Sequence, residues 1–347
     1  MKRFIAGLLL IVGCGCSLVA QTEAGQWINT LREHIRITGY AQGGFDYYDK
    51  SESKDQFKIA RIILMANAQI NDQMSAFAMY DLKSAALHEI WYNYKACEGL
   101  QIKLGQFKTP FTIENPLSPT VLETAFPNSL VVGNMILGAD ALMMPGAAGR
   151  DIGVTLYGTW AKGLISYDLA LMNGAGRNKA DNNSQKDLVA TLRVKPSSWL
   201  LLSGSIMKGT GNVAVRRDAS GNLVSDVGSL RGLKANGNYR RDRYSAGFQL
   251  KTDPFNLRSE YLYGKDGHVS SKGAYATATV NHLLMPHLDL IGSFDWLDKR
   301  GTKQNRWVTG LQYWFYPQCR VQLNYARQHF NGNYSENCIL VQLQVKF

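Results

Sequence analysis

Along most of this 347-residue chain, apolar and polar side chains alternate with a period of two. The run Ile339-Leu340-Val341-Gln342-Leu343-Gln344-Val345-Lys346-Phe347 shows the pattern most clearly. Successive strand residues point to opposite faces, so Ile339, Val341, Leu343, Val345 and Phe347 share an apolar face while Gln342, Gln344 and Lys346 share a polar one. Taken alone, this segment would also suit the edge of a soluble sandwich. It does not stand alone, because about sixteen strand-like runs follow the same rule. They cover residues 32–47, 57–70, 74–83, 87–96, 100–109, 151–160, 164–173, 186–195, 200–208, 244–251, 256–265, 272–280, 288–298, 307–315, 319–328 and 338–347. Most are close to the ~9 to 11 residues that a tilted strand needs to cross hydrocarbon. Tight connections at 71–73, 97–99, 161–163, 196–198, 252–254 and 316–318, and a longer one around Met285-Pro286, alternate with long polar loops such as 175–184 and 209–243. An even strand number, one apolar face per strand, and short turns on one rim with long loops on the other predict an all-β protein. The expected architecture is a transmembrane antiparallel β-barrel of about 16 strands with long inward-folded loops. A barrel of this size encloses water rather than a side-chain core.

The ends and the composition agree with that expectation. Lys2 and Arg3 precede an apolar stretch from Phe4 to Val12, and small residues lead to Ala20, so residues 1–20 read as a secretory signal. A lipoprotein box ending at Cys14 is the alternative reading of the same segment. Residues 21–31 would then form a short periplasmic segment and 32–347 the barrel. The final strand with its terminal Phe347 is the segment expected to engage the barrel-assembly machinery. Removing the signal leaves Cys97, Cys319 and Cys338, an odd number without metal-ligand spacing, so no disulfide framework is expected. After the signal, no segment holds the 18 or more consecutive apolar residues of a membrane helix. Tyr 17, Phe 13, Trp 7 and Gly 33 with 19% charged residues suit short strands, a polar lumen and aromatic girdles. The formal charge of +11 falls to +9 once Lys2 and Arg3 are subtracted. No basic stretch at helical period accompanies it, so a nucleic-acid partner is not expected.

The phase of the alternation assigns the lumen. With the apolar face on lipid, Arg36, Arg61, Lys95, Lys103, Arg193, Lys195, Lys251, Arg258, Arg320 and Lys346 point inward, as do Asp81, Glu89, Asp187, Glu260, Asp289 and Asp295. Lys95, Lys195, Lys251, Arg320 and Lys346 fall beside short turns, which predicts a cationic periplasmic mouth. Charges lining a confined channel bias which ions pass.

Two loops exceed ordinary connection length. The segment from Pro110 to Arg150 carries the apolar stretches Leu130-Val131-Val132 and Met135-Ile136-Leu137, too apolar for disorder, and is expected to fold into the barrel and narrow it. The segment from Gly209 to Arg243 holds Arg216, Arg217, Arg231, Lys234, Arg240, Arg241 and Arg243 against Asp218, Asp226 and Asp242. Arginine keeps its charge and presents a planar fork that matches phosphate and carboxylate oxygens, so this series would offer stepping sites for oxyanions. A solvated loop that touches lipopolysaccharide is the other reading. Enzymatic readings lack support, because the six histidines are scattered without metal spacing and no nucleophile elbow is present. The glycine-rich run Met172-Asn173-Gly174-Ala175-Gly176 sits at a strand exit with no helix after it, so it is not expected to cradle phosphate.

Phe57-Lys58-Ile59-Ala60-Arg61, then Gly105-Gln106-Phe107-Lys108-Thr109-Pro110-Phe111 with Glu114, then Gly149-Arg150-Asp151-Ile152-Gly153-Val154, resemble successive landmarks of the phosphate-selective porin O/P family. With Phe347, the resemblance spans the mature chain. It implies a sixteen-stranded outer-membrane barrel of a Gram-negative bacterium, trimeric, with arginines that draw anions to a constriction. Arg61 falls on a family arginine, the 209–243 loop matches the family's basic fifth loop, and Glu114, Ser118 and Glu123 fall in its constriction loop. Ala60 and Ile63 stand where the family has neighbouring arginines, and Glu123 is followed by Thr124 where an arginine often follows. The expected function is a passive diffusion channel for small hydrophilic solutes with anion preference, phosphate being the named candidate, without cofactor. A barrel plugged by its long loop and serving as a structural or surface-recognition protein is the alternative.

Overall fold

A computed structural model describes residues 34–50, 55–137, 149–181, 183–212, 216–217, 223–224, 237–299, 301–330 and 334–347. The expected signal and the segment 21–31 lie outside them. Sixteen antiparallel strands close into one barrel. In chain order these are β1 (Ile35–Tyr48), β2 (Gln56–Gln69), β3 (Met74–Asp81), β4 (Ala86–Cys97), β5 (Leu100–Lys108), β6 (Arg150–Trp160), β7 (Ile165–Met172), β8 (Asp187–Ser197) and β9 (Leu200–Asn212). The barrel continues with β12 (Asn238–Lys251), β13 (Phe255–Asp266), β14 (Val269–Val280), β15 (Leu288–Lys299), β16 (Thr302–Tyr316), β17 (Cys319–His329) and β18 (Ser335–Lys346). Two short strands between β9 and β12, β10 (Arg216–Arg217) and β11 (Leu223–Val224), pair only with each other.

Each barrel strand pairs with its sequence neighbour, and β1 pairs with β18 from Tyr40↔Lys346 to Tyr48↔Cys338. Closure leaves no unpaired edge, the condition for a strand-built wall in hydrocarbon. The seam is tightest at its end, where Gly39 and Phe347 exchange two backbone hydrogen bonds of 2.9 Å. A Cβ on Gly39 would lie 2.6 Å from the Phe347 ring and 2.7 Å from the Ile63 carbonyl oxygen, so no larger residue fits there without displacement.

The dyad pattern sorts as its physics requires. Leu188, Leu192, Leu202, Ile206, Leu311, Leu323 and Leu343 stand exposed on the outer wall. Exposed aromatics, among them Trp160, Trp199, Phe255, Phe315 and Phe347, gather toward the short-turn rim, and Tyr47, Phe57, Tyr80 and Tyr325 lie toward the other. Inside, Asp81, Glu89, Asp187, Arg258, Glu260 and Arg320 are buried. So much exposed apolar surface on a closed barrel would be intolerable in water, and this is an outer-membrane barrel.

Three connections on the long-loop rim are shorter than the alternating rule predicts. Gly267 at φ 58° and Gly301 at φ 82° permit tight hairpins after Asp266 and Lys299, so β14 and β16 start earlier than their apolar runs suggested. A four-residue turn, 82–85, joins β3 to β4. The expected 209–243 loop is likewise trimmed by strand extension at both ends, which places Arg240, Arg241 and Arg243 on β12.

Candidate functional site

The long connection between β5 and β6 enters the barrel, and its path follows from where its polar backbone finds partners. Gly105, with φ 139°, lets β5 pass where a Cβ would lie 2.2 Å from the Ile90 carbonyl oxygen. Beyond the strand, the hydroxyl of Thr191 donates to the Pro110 carbonyl at 2.5 Å. Glu260 accepts from the backbone N–H groups of Ile113 at 2.6 Å and Glu114 at 3.1 Å, and also from Ser245 and the Tyr275 hydroxyl. Farther along, Gln344 donates to the Thr120 carbonyl, Arg320 to that of Leu122 at 2.6 Å and Gln322 to that of Glu123 at 2.7 Å. Asn324 accepts from the Ala125 N–H at 2.6 Å. The loop then folds on itself, where the Glu114 carboxylate accepts from Asn128 and from the backbone and hydroxyl of Ser129.

From Ser129 the apolar stretch forms a helical turn at Leu130–Val132 and a wider turn at Gly133–Leu137. Val131, Val132, Met135 and Ile136 pack with Phe107, Phe111, Val189, Met207, Leu262, Tyr275 and Leu297 in an apolar cluster inside the barrel. The sequence anticipated a lumen filled by water. The structure replaces part of that water with a small core, because several inward wall positions are themselves apolar.

These anchors hold the loop mainly against β12 to β18, with Thr191 of β8 and Gln42 of β1 adding bonds, and leave space beside β2 to β7. Among the described residues, two cavities occupy it. The one nearer the long loops has a volume of about 620 Å³, and the one nearer the short turns about 660 Å³. Both are lined by Lys108, Leu117, Pro119 and Arg150, which therefore mark the boundary between them. Lys108 is steadied there by donating to the Leu117 carbonyl.

The upper cavity is rich in positive charge. Arg61, His88, Lys108, Arg150, Arg177 and Arg306 contribute to its lining, against the single carboxylate of Asp81 among the described residues. Two of these arginines are occupied, Arg150 by Glu89 at 2.9 Å and Arg306 by Asp295 at 2.5 Å. Asp81 is itself held by Ser84 and the N–H groups of Ile62 and Lys83. Arg61 and Arg177 have no carboxylate within 4 Å among the described residues.

Arg177 was not among the residues singled out from the sequence. Its loop begins with the glycine-rich run that lacked a helix, and the structure gives that run a different use. Gly174 at φ 75° and Gly176 at φ 87° bend the chain so that both N–H groups donate to Asp151, at 2.5 and 3.2 Å. The signal was present as Asn173-Gly174-Ala175-Gly176-Arg177, but the partner Asp151 is remote in sequence.

The other expected residues divide into distinct environments. Arg61 lines the upper cavity and Lys103 the lower one. Arg240 is exposed and pairs with Asp242 at 2.7 Å. Two presumed stepping sites are clamped into the wall. Arg241 bonds Asp187 and the Gly174 carbonyl, and Arg243 grips both oxygens of Asp266 at 2.7 and 3.0 Å. They lie on a strand with facing acids, which the loop reading did not anticipate. Arg216 and Arg217 belong to the β10–β11 ribbon, and Arg231 and Lys234 lie outside the described residues.

At the expected cationic mouth, Lys95, Lys195, Lys251 and Lys346 sit at strand ends on the short-turn rim, Lys95 paired with Glu98 at 2.5 Å. Arg320 departs from that expectation, since it is buried, donates to Gln312 and Leu122, and lies over Trp314. In the constriction loop, Glu114 and Glu123 serve as anchors, and Ser118 bonds Thr120 at 2.9 Å.

No family model matches the chain, and no curated protein matches it in sequence. Solved structures do match in shape. The anion-selective porin from Comamonas acidovorans is 11% identical at a TM-score of 0.67, over 90% of this chain and 99% of that one. OmpT of Vibrio cholerae, in a trimer form, is 10% identical at 0.64 over 90% and 99%. The OmpF of Salmonella typhi, in complex with daunomycin, is 14% identical at 0.62 over 90% and 97%. At these identities the likeness is one of fold, and that fold is the closed sixteen-stranded outer-membrane β-barrel.

Proposed function

We propose that the chain is a porin of a Gram-negative outer membrane, a passive diffusion channel for small hydrophilic solutes with a preference for anions. The observation that carries this reading is the pairing state of the upper cavity: Arg61 and Arg177 face it without acidic partners, while its wall offers one carboxylate. Unpaired guanidinium groups in a confined, partly desolvated space attract anions and repel cations, and their planar forks suit oxyanions such as phosphate. Phosphate is thus the natural member of the class, in keeping with the resemblance to the phosphate-selective porins.

The mechanism follows from the order of groups along the pore. An anion entering from the long-loop side meets Arg61 and Arg177, passes the boundary at Lys108 and Arg150, and leaves through the lower cavity past Lys103 toward the rim lysines. Throughput requires each stop to be shallow, which several partly neutralised cations provide better than one deep site. The plugged-barrel alternative finds less support, because two cavities lie beside the loop and share lining residues. In a planar bilayer the proposed channel carries current whose reversal potential in a KCl gradient favours chloride. Absence of current would favour the plug. Assembly as a homotrimer, as in the named OmpT form, is part of the proposal, and crosslinking in native membranes tests it.

A further inference from the structure

The lower cavity differs in chemistry from the upper one, and we propose that it is a subsite for small organic carboxylates bearing an apolar ring. The inference rests on the anion-channel reading and narrows its substrate class.

Lys103 is the centre of this site. Its ammonium lies 4.7 Å from the ring centroid of Trp91, 4.8 Å from that of Tyr157 and 5.7 Å from that of Phe107. Phe77 stacks on Trp91 at 5.1 Å and 26°, which fixes the indole in place. The two carboxylates lining the cavity are committed elsewhere, Glu89 to Arg150 at 2.9 Å and Asp168 to Arg193 at 2.6 Å. Lys103 has no carboxylate within 4 Å among the described residues, so its ammonium is held among aromatic faces rather than in an ion pair.

The remaining wall is mainly apolar, with Met79, Ile113 and Leu117 beside the aromatic rings. A volume of about 660 Å³ is ample for a single-ring molecule. Inorganic phosphate keeps much of its water and gains nothing from such walls. A ring carboxylate gains twice, placing its charge on Lys103 while its ring leaves water against apolar side chains. Acetate shares the charge but not the ring, which makes it the matched control.

The test measures block of chloride current through the wild-type protein in a planar bilayer, with benzoate, acetate and inorganic phosphate as probes. Benzoate is expected to block at about tenfold lower concentration than acetate, the factor that follows from removing roughly 55 Å² of ring surface from water. Lys103→Met should abolish that advantage, and Lys103→Arg should retain most of it. Equal block by benzoate and acetate overturns the inference, as does a benzoate advantage that persists in Lys103→Met. Either result leaves a chloride-favouring reversal potential standing. A cation-favouring potential, by contrast, removes the channel reading on which the subsite depends.

Discussion

Glu123, on the loop between β5 and β6, holds Arg258 of β13 with both carboxylate oxygens, at 2.9 and 2.6 Å. The two residues are 135 positions apart in sequence, and their pairing ties the constriction to the far wall of the barrel. Arg258 is also 3.8 Å from Glu114, so one guanidinium restrains two points of the loop.

Breaking that tie should widen and loosen the pore. Glu123→Gln keeps the shape but removes the charge, and Arg258→Leu leaves two acids without their cation, at a cost of about 3 to 5 kcal/mol. Single-channel recordings should show a larger and noisier open state in both, with the greater effect in Arg258→Leu. Unchanged conductance and noise would mean that Glu260, Asn324 and the other anchors suffice.

Arg61 and Arg243 should separate selectivity from stability. Arg61→Ala removes a cation with no acidic partner, so the barrel's unfolding free energy should move by less than about 1 kcal/mol while the reversal potential shifts toward cations. Arg243→Ala removes the two-pronged partner of Asp266 in a site where both side chains are about 1% exposed, and should cost about 3 to 5 kcal/mol. Urea titration of the refolded protein in vesicles distinguishes the two. A similar stability loss in both would contradict the assignment of Arg61 to the pore.

Gly39 tests the closing seam. Gly39→Val places methyl groups where the Phe347 ring and the Ile63 carbonyl already stand, so β1 and β18 should pair poorly. The expected outcome is a lower yield of the compact form that resists unfolding in cold detergent, read as a gel-mobility shift. Wild-type yield would show that Phe347 moves aside at little cost.

How much of this was legible in the sequence depends on the range over which each feature is decided. Side-chain alternation is local, and it placed all sixteen barrel strands, although Gly267 and Gly301 concealed tight hairpins that lengthened β14 and β16. The inward phase of Arg61, Lys103 and Arg258 followed from the same period of two. Charge pairing is not local. Nothing near Arg243 announces Asp266, and nothing near Arg320 announces the Leu122 carbonyl that it holds. Their assignment as open cations therefore changed once partners from other strands came into view. Arg177 was missed for the converse reason, since the Asp151 that shapes its loop sits on another strand.

The salt dependence of selectivity checks the electrostatic origin of the preference. Screening shortens from about 30 Å at 0.01 M to about 3 Å at 1 M, so the chloride-to-potassium permeability ratio should fall as ionic strength rises. A ratio independent of salt would point to a steric filter instead.

The most direct measurement is the reversal potential of the purified wild-type protein in a planar bilayer under a tenfold KCl gradient. The account predicts steady conductance with a potential of the sign that favours chloride, reduced in Arg61→Ala and Arg177→Ala. A potential of the opposite sign, or a bilayer that stays silent with folded protein present, would contradict it.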